Sequence, residues 1–243
     1  MPVTEHATVH GSPGEGARMA GFARAIFPLL VALFCIGYVA GAASGTNLKG
    51  WTAGVVLGLA GVLLMLGAPA AALRIEAFFK GAAGEEIVAR ELSRLPAGYH
   101  VFHSLDAGGG VLMWRGGDID HVVVGPTGVF AIETKNWRGK VTLADGAVLV
   151  DGAAPRRPPL EQARQSLSAL QVRLGRGGIH DVEVVPVVCF AGDRFDGACQ
   201  EAGDVLVCNA GSLLDVLTDE KRRARARLDV ARVVKVLEPA HAA

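Results

Sequence analysis

A mixed α/β fold is predicted, with a largely buried central sheet flanked by helices and two transmembrane helices ahead of it. Three observations predict it. Two charge-free apolar runs, 25–47 and 51–73, stand near the N-terminus. From about residue 81 onward, helical and strand periods alternate along the chain. Between them, "GDIDHVVVGPTGVFAIETKNW" (117–137) reads as two buried strands with charges written into their ends.

The chain has 243 residues, with 24 basic and 24 acidic side chains. That balance excludes a global pull toward nucleic acid or anionic membrane. Cys35, Cys189, Cys199 and Cys208 form no C-x-x-C pair, a poor match to a zinc site or a disulfide framework. They read as small buried hydrophobes.

Residues 1–18 are rich in Gly, His, Ser and Glu without periodicity, and read as a disordered tail. The runs 25–47 and 51–73 each reach the ~20 apolar residues that a bilayer-spanning helix needs. Their short link predicts an antiparallel transmembrane hairpin over 25–73, with Gly54, Gly58 and Gly61 allowing close helix approach. Arg18, Arg24, Arg74 and Lys80 flank the hairpin, against Lys49 alone in the loop. The positive-inside rule then predicts a multi-pass protein of the cell membrane with both termini cytoplasmic. Ala40-Gly41-Ala42 supports a competing reading, a signal peptide cleaved there, which would reverse the domain's side.

The following segment divides into a domain over 78–210 and C-terminal helices over 211–243. "GAAGEEIVARELSRL" (81–95) reads as a helix and "YHVFHSL" (99–105) as a strand, followed by a glycine loop at 106–110. "KVTLADGAVLV" (140–150) reads as a hairpin turning at Asp145-Gly146. After the break "APRRPP", residues 160–174 are helical, with Leu160, Ala163, Leu167, Leu170 and Leu174 along one stripe. Strands at 182–190 and 204–209 and two closing helices complete the order.

The turn "GPTG" at 125–128 predicts a hairpin register that pairs Val124 with Val129, Val122 with Ala131, Asp120 with Glu133 and Asp118 with Lys135, all on one face. Ile119, His121, Val123, Phe130, Ile132 and Thr134 take the other face. Asp120 and Glu133 then stand opposite, with Cβ atoms roughly 5 Å apart. Like charges so placed call for a shared proton or a cation between them, and hard oxygen ligands suit Mg²⁺ or Mn²⁺. On a wheel of 85–95, Glu85 lies on the arc of Val88, Leu92 and Leu95, so it faces the sheet; Glu86 falls to the side. An ion held by such carboxylates polarises a phosphodiester, and Lys135 beside it stabilises developing charge. The structural alternative is a salt bridge of Lys135 with Asp118 or Glu133 at a sheet end.

"GAAGEE", "DIDHVVVGPTGVFAIETKNW" and "PLEQ" resemble the nuclease-related domain family (NERD), within the PD-(D/E)XK nucleases, over about residues 78–190. The resemblance implies a restriction-endonuclease-like mixed sheet and a divalent-metal-dependent nuclease. It implies Asp120, Glu133 and Glu85 as metal ligands, Lys135 as the lysine of the E-x-K pair, and Gln162 as a further catalytic residue. On a wheel Gln162 lies opposite the leucine stripe, so it reaches the site only if its helix presents that other face. The implied partner is nucleic acid, DNA first. A second function class stays open: a catalytically silent module that binds DNA or a protein at the membrane.

Other residues carry weaker signals. His121 reads as a core histidine, and His103 and His180 have no identifiable partner in the sequence. Asn136 and Trp137 read equally as groove or turn residues. "KRRARAR" (221–227) reads as a solvated helix face, with contact to phosphate or to anionic headgroups as the alternatives, and from residue 74 onward 21 basic residues face 22 acidic ones.

Overall fold

The structure is a computed structural model that describes residues 6–14, 26–27, 30–38, 41–42, 50–106, 118–192, 194–195, 199–223 and 228–238. Within these, the side chains at 50–53, 56, 60, 63–64, 66–75, 77–78 and 222–223 lie outside the description. The chain forms two compact units, Gly16–Lys80 on the one hand and Met1–Glu15 with Gly81–Ala243 on the other.

In the smaller unit, residues 30–38 are helical and helix α1 (Gly50–Leu92) begins. The expected transmembrane hairpin over 25–73 is not found. Among the described residues, no helix is long and apolar enough to cross a membrane. The expected second span does not end at 73, because absence of charge was the only boundary signal there. Helix formers continue through Ala77 and beyond, so α1 runs on through Arg74, Glu76 and Lys80. The link at 43–49, the glycine loop at 107–110 and residues 224–227 of the basic run lie outside the described residues. Cys189 and Cys208 are buried as expected, whereas Cys35 is exposed and Cys199 partly so.

The larger unit is built on one seven-stranded mixed sheet. Its strands are β1 (Thr8–His10), β2 (His100–Leu105), β3 (Ile119–Gly125), β4 (Gly128–Lys135), β7 (Val184–Phe190), β8 (Gln200–Ala202) and β9 (Val205–Asn209), in the order β1-β2-β3-β4-β7-β9-β8. The hairpin of β5 (Val141–Ala144) and β6 (Ala147–Val150) forms a separate two-stranded sheet, turning at Asp145-Gly146, both in the left-handed region. Residues 8–10, expected within a disordered tail, form β1 instead. They pair in parallel with β2, and the His10 ring stacks on Phe102 at 4.3 Å.

Strand parity distributes the core. Val123, Phe130 and Ile132 pack with Val88, Leu92 and Leu95 of the α1 region and with Leu213 and Leu217 of α3 (Ala210–Leu217). Val122, Val124, Val129 and Ala131 pack on the other face with Leu170 and Leu174 of α2 (Pro159–Arg176) and Val233, Val234 and Leu237 of the C-terminal helix. A third cluster, with Val141, Val148, Leu160, Val188, Phe190 and Phe195, seats the β5–β6 hairpin. Two further helices are α4 (Glu220–Arg223) and α5 (Val230–Leu237). The side chains of Asn209 and Asp229 cap α3 and α5 by accepting from Ser212 and Arg232 amides. Helix α2 opens on Pro159, with Glu161 in its first turn and Arg173 and Arg176 in its last, matching the helix dipole.

The β3–β4 register agrees with the expectation where it is paired: Val124 with Val129, Val122 with Ala131, and His121 with Ile132. Gly125 and Gly128 close the turn, and the Tyr99 ring lies against Gly125 so closely that a Cβ there would sit 2.1 Å from Cδ1. The Tyr99 hydroxyl is held by Thr127 at 3.0 Å and donates to the Leu217 carbonyl at 3.3 Å, so the ring cannot swing aside freely. Gly125→Ala is therefore expected to cost about 1–3 kcal/mol in urea denaturation, with an unchanged m-value.

Candidate active site

Strand β4 carries the site because its C-terminal end is where the buried sheet meets polar neighbours from three other elements. Glu133 is buried at 9% exposure, and Lys135, two residues on along the same face, is partly exposed. The Lys135 ammonium donates to Glu133 Oε1 and, at 3.1 Å, to Gln162 Oε1. The Gln162 side-chain amide in turn donates to the carbonyls of Arg157 (3.2 Å) and Pro158 (3.4 Å). Gln162 thus reaches the site although it lies off the leucine stripe. It sits in the first turn of α2, where the helix meets the end of β4.

Asp120, near the start of β3, is partly buried. Its Oδ2 accepts the Thr134 amide at 2.7 Å. The carboxylate takes this main-chain donor just beyond the last backbone pair, His121 with Ile132. Burial, then the charges of Glu133 and Glu85, push the Asp120 carboxyl well above the usual range, against the Thr134 amide and Lys135. Asp118 lies just before β3; partial desolvation of its carboxyl and then the Asp106 charge raise it too. The Lys135 bond goes to Glu133 rather than to the expected strand partner Asp118.

Glu85 comes from α1 and faces inward beside Val88 and Leu92, as the wheel predicts, with 7% exposure. Burial first, then Glu133 and Asp118, raise its carboxyl to about 7, opposed by the Gly14 amide and Lys135. Two glycines let it come this near. A Cβ on Gly84 would stand 2.6 Å from Asn136 Cβ, so only glycine lets α1 pack against the chain leaving β4. Gly14, with φ of 72°, lies against Ala82 and gives its amide to Glu85. Sequence reasoning missed this N-terminal support. The only signal was the glycine itself, inside a segment whose strand is three residues long.

Among the described residues, no group of three or more His, Cys, Asp or Glu side chains stands ready to hold a metal ion. The expected set Glu85, Asp120 and Glu133 is therefore not preassembled. Its members are engaged elsewhere: Glu133 with Lys135, Asp120 with the Thr134 amide and Glu85 with the Gly14 amide. The donor chemistry nevertheless suits a hard divalent cation, since it offers carboxylate oxygens without thiol or imidazole. The raised carboxyls at Asp120 and Glu85 express burial first and like-charge repulsion second, and a double positive charge would offset both.

His121 is fully buried on the face opposite Glu133 and Lys135, and its Nδ1 shares a 2.8 Å hydrogen bond with His103 Nδ1. Burial lowers His121 to about 3 and His103 to about 4. Both are core histidines held neutral. Trp137 packs on Phe190 at 5.5 Å and is half-buried, so it serves the core at the turn after β4.

Comparison with known proteins places this geometry in context. A nuclease-related domain is found at residues 80–191, a range that contains Glu85, Asp120, Glu133, Lys135 and Gln162. An uncharacterized protein of Bacillus anthracis is 45% identical over 65 residues, covering 25% of this chain and 28% of that protein. No solved structure matches.

The pH dependence of stability follows from Glu85. Its folded value lies above the ordinary 4.5, so the stability held by the neutral carboxyl is complete below about 4.5 and is lost as pH rises through about 7. Glu85→Gln, neutral throughout, is expected to match the wild type near the acid end. At pH 8 with chelator it is expected to exceed it by on the order of 2 kcal/mol. Urea denaturation at the two pH values checks this. His121 and His103 act on the opposite side, losing stability as pH falls from 6.5 toward 4 and 3, and contribute equally to both proteins.

Proposed function

We propose that the nuclease-related domain hydrolyses phosphodiester bonds of nucleic acid, DNA first, with Mg²⁺ or Mn²⁺ as cofactor, on a PD-(D/E)XK-type fold. The observation that carries this reading is the Lys135 ammonium held between Glu133 and Gln162, at the strand end that also brings in Asp120 and Glu85. Asp120 and Glu133 would hold the ion, with Glu85 beside them. When bound, it supplies polarisation of the phosphodiester and a water of lowered pKa.

The chain's own residues do the rest. Lys135 places a positive charge where negative charge grows on the phosphate. Gln162 fixes the lysine's direction through its side-chain carbonyl and is itself fixed by the Arg157 and Pro158 carbonyls. The Thr134 amide orients Asp120, and the Gly14 amide orients Glu85. A second reading, a silent module that binds without turnover, is favoured by one observation: Lys135 and Glu133 already satisfy each other.

Location is a separate part of the proposal. Phe27, Leu30, Leu33, Phe34, Leu59 and Met65 are exposed apolar side chains, and we propose a membrane as their cover, with the domain on the cytoplasmic side. Recovery in the membrane fraction, released by detergent and not by salt, is expected; recovery in the supernatant overturns it.

Glu133→Gln and Lys135→Ala are each expected to lower Mn²⁺-dependent cleavage of DNA by at least ~10²-fold, with melting temperatures that still report a folded domain. Gly84→Val, which drives α1 off Asn136, is expected to lose activity through displacement of Glu85. Cleavage at wild-type rate by Lys135→Ala sinks the mechanism.

A further inference from the structure

Strand pairing and hydrogen bonds bring basic residues of three separate segments near the end of β4. Strands β4 and β7 run parallel, so Lys135 and Phe190 end side by side, and the Ala191 amide donates to the Lys135 carbonyl at 2.9 Å. Past β4 the chain passes Arg138 and Lys140. Past β7 it reaches Arg194, whose carbonyl accepts the Val141 amide at 2.9 Å.

Lys140 is tied twice to Asp151. The Asp151 amide donates to its carbonyl and its own amide donates to Asp151 Oδ1, both at 2.8 Å. A Cβ on Gly139 would stand 2.3 Å from Asp151 Oδ2, so glycine is what permits this closure. From Asp151 the chain leads through Arg156 and Arg157 into α2, where the Gln162 amide returns to the Arg157 carbonyl. Arg138, Lys140, Arg156, Arg157 and Arg194 are all exposed. Among the described residues of these segments, the acidic ones are Asp145 at the hairpin tip, Asp151 and Glu161, and in the sequence Asp193 and Asp196 flank Arg194.

We propose that this ridge, formed by 138–140, 156–157 and 194, is where the substrate's phosphate backbone lies as it enters the site. The proposal rests on the nuclease reading and deepens it. Guanidinium groups on a rigid rim pair with phosphate oxygens in forked geometry, and such contacts position a strand without reading its bases. The hydrogen bonds of the Gln162 side chain, which donates to the Arg157 carbonyl and accepts from Lys135, set the ridge in register with the lysine that meets the phosphate. Cleavage is accordingly expected to be indifferent to base sequence.

The test is fluorescence anisotropy of labelled duplex DNA with the full chain in chelator, which separates binding from cleavage. The proteins are wild type, Arg156→Gln/Arg157→Gln, and Arg94→Gln as a charge control on α1. The double variant is expected to bind roughly tenfold more weakly, with a salt slope flatter by about 2, while the control matches wild type. Wild-type binding in the double variant overturns the ridge, as does absence of DNA binding by the wild type. Anionic phosphatidylserine vesicles are the third probe. If the double variant loses vesicle binding and keeps DNA binding, the ridge takes headgroups and the proposal fails. Cleavage by the wild type in Mn²⁺ is scored separately. A ridge-dependent binder that does not cleave defeats the nuclease reading alone, and cleavage with ridge-independent binding defeats the ridge alone.

Discussion

Three carboxylates, Glu85, Asp120 and Glu133, share a partly desolvated space with one ammonium, Lys135. Their burial, with mutual repulsion added to it, is the constraint around which the site is arranged. Two of the three are pushed toward the neutral form, with burial as the largest cause. A fold keeps such a cluster only if the surrounding packing over-determines it. Here the packing does so from both faces of the sheet. Val88 and Leu92 bury the α1 face that carries Glu85, and Leu170 and Leu174 bury the α2 face behind Gln162.

Small details of the backbone then set the distances. Gly84 lets α1 touch Asn136, and Gly14, in the turn after β1 and well ahead of the matched residues 80–191, brings a main-chain donor to Glu85. Thr134 gives Asp120 an amide in place of a ladder bond. Each is a main-chain device, so none shows as a charged or catalytic residue type. Together they make the acidic cluster a property of tertiary structure and not of the strand pair alone.

This explains what the sequence could and could not disclose. The β3–β4 register was legible because apolar alternation admits one pairing, and a slip by one would have buried Asp120 among Phe130 and Ile132. The inward turn of Glu85 was legible for the same reason on a helical period. Strand β1 was not, since three residues carry no measurable period and the strand exists only by pairing with β2. The end of the apolar run at 73 was mistaken for a helix end, because charge marks solvation and not helix termination. Gln162 was placed off the packed stripe correctly, and the stripe says nothing about a first turn that overhangs the sheet end. The carboxylates themselves are legible as charges on facing strand ends and on one helix arc, whereas their bonds to Lys135 and to two backbone amides belong to the tertiary structure.

The proposed divalent-ion role requires Glu85, Asp120 and Glu133 to leave their present partners for one ion. Calorimetric titration of Mn²⁺ into the full chain near pH 7, in two buffers of different ionisation enthalpy, tests it most directly. Binding to the wild type with net proton release is expected, because Glu85 and Asp120 must ionise to serve, together with loss of that binding in Asp120→Asn. Equal binding by the variant, or no binding by the wild type with or without DNA, would contradict it.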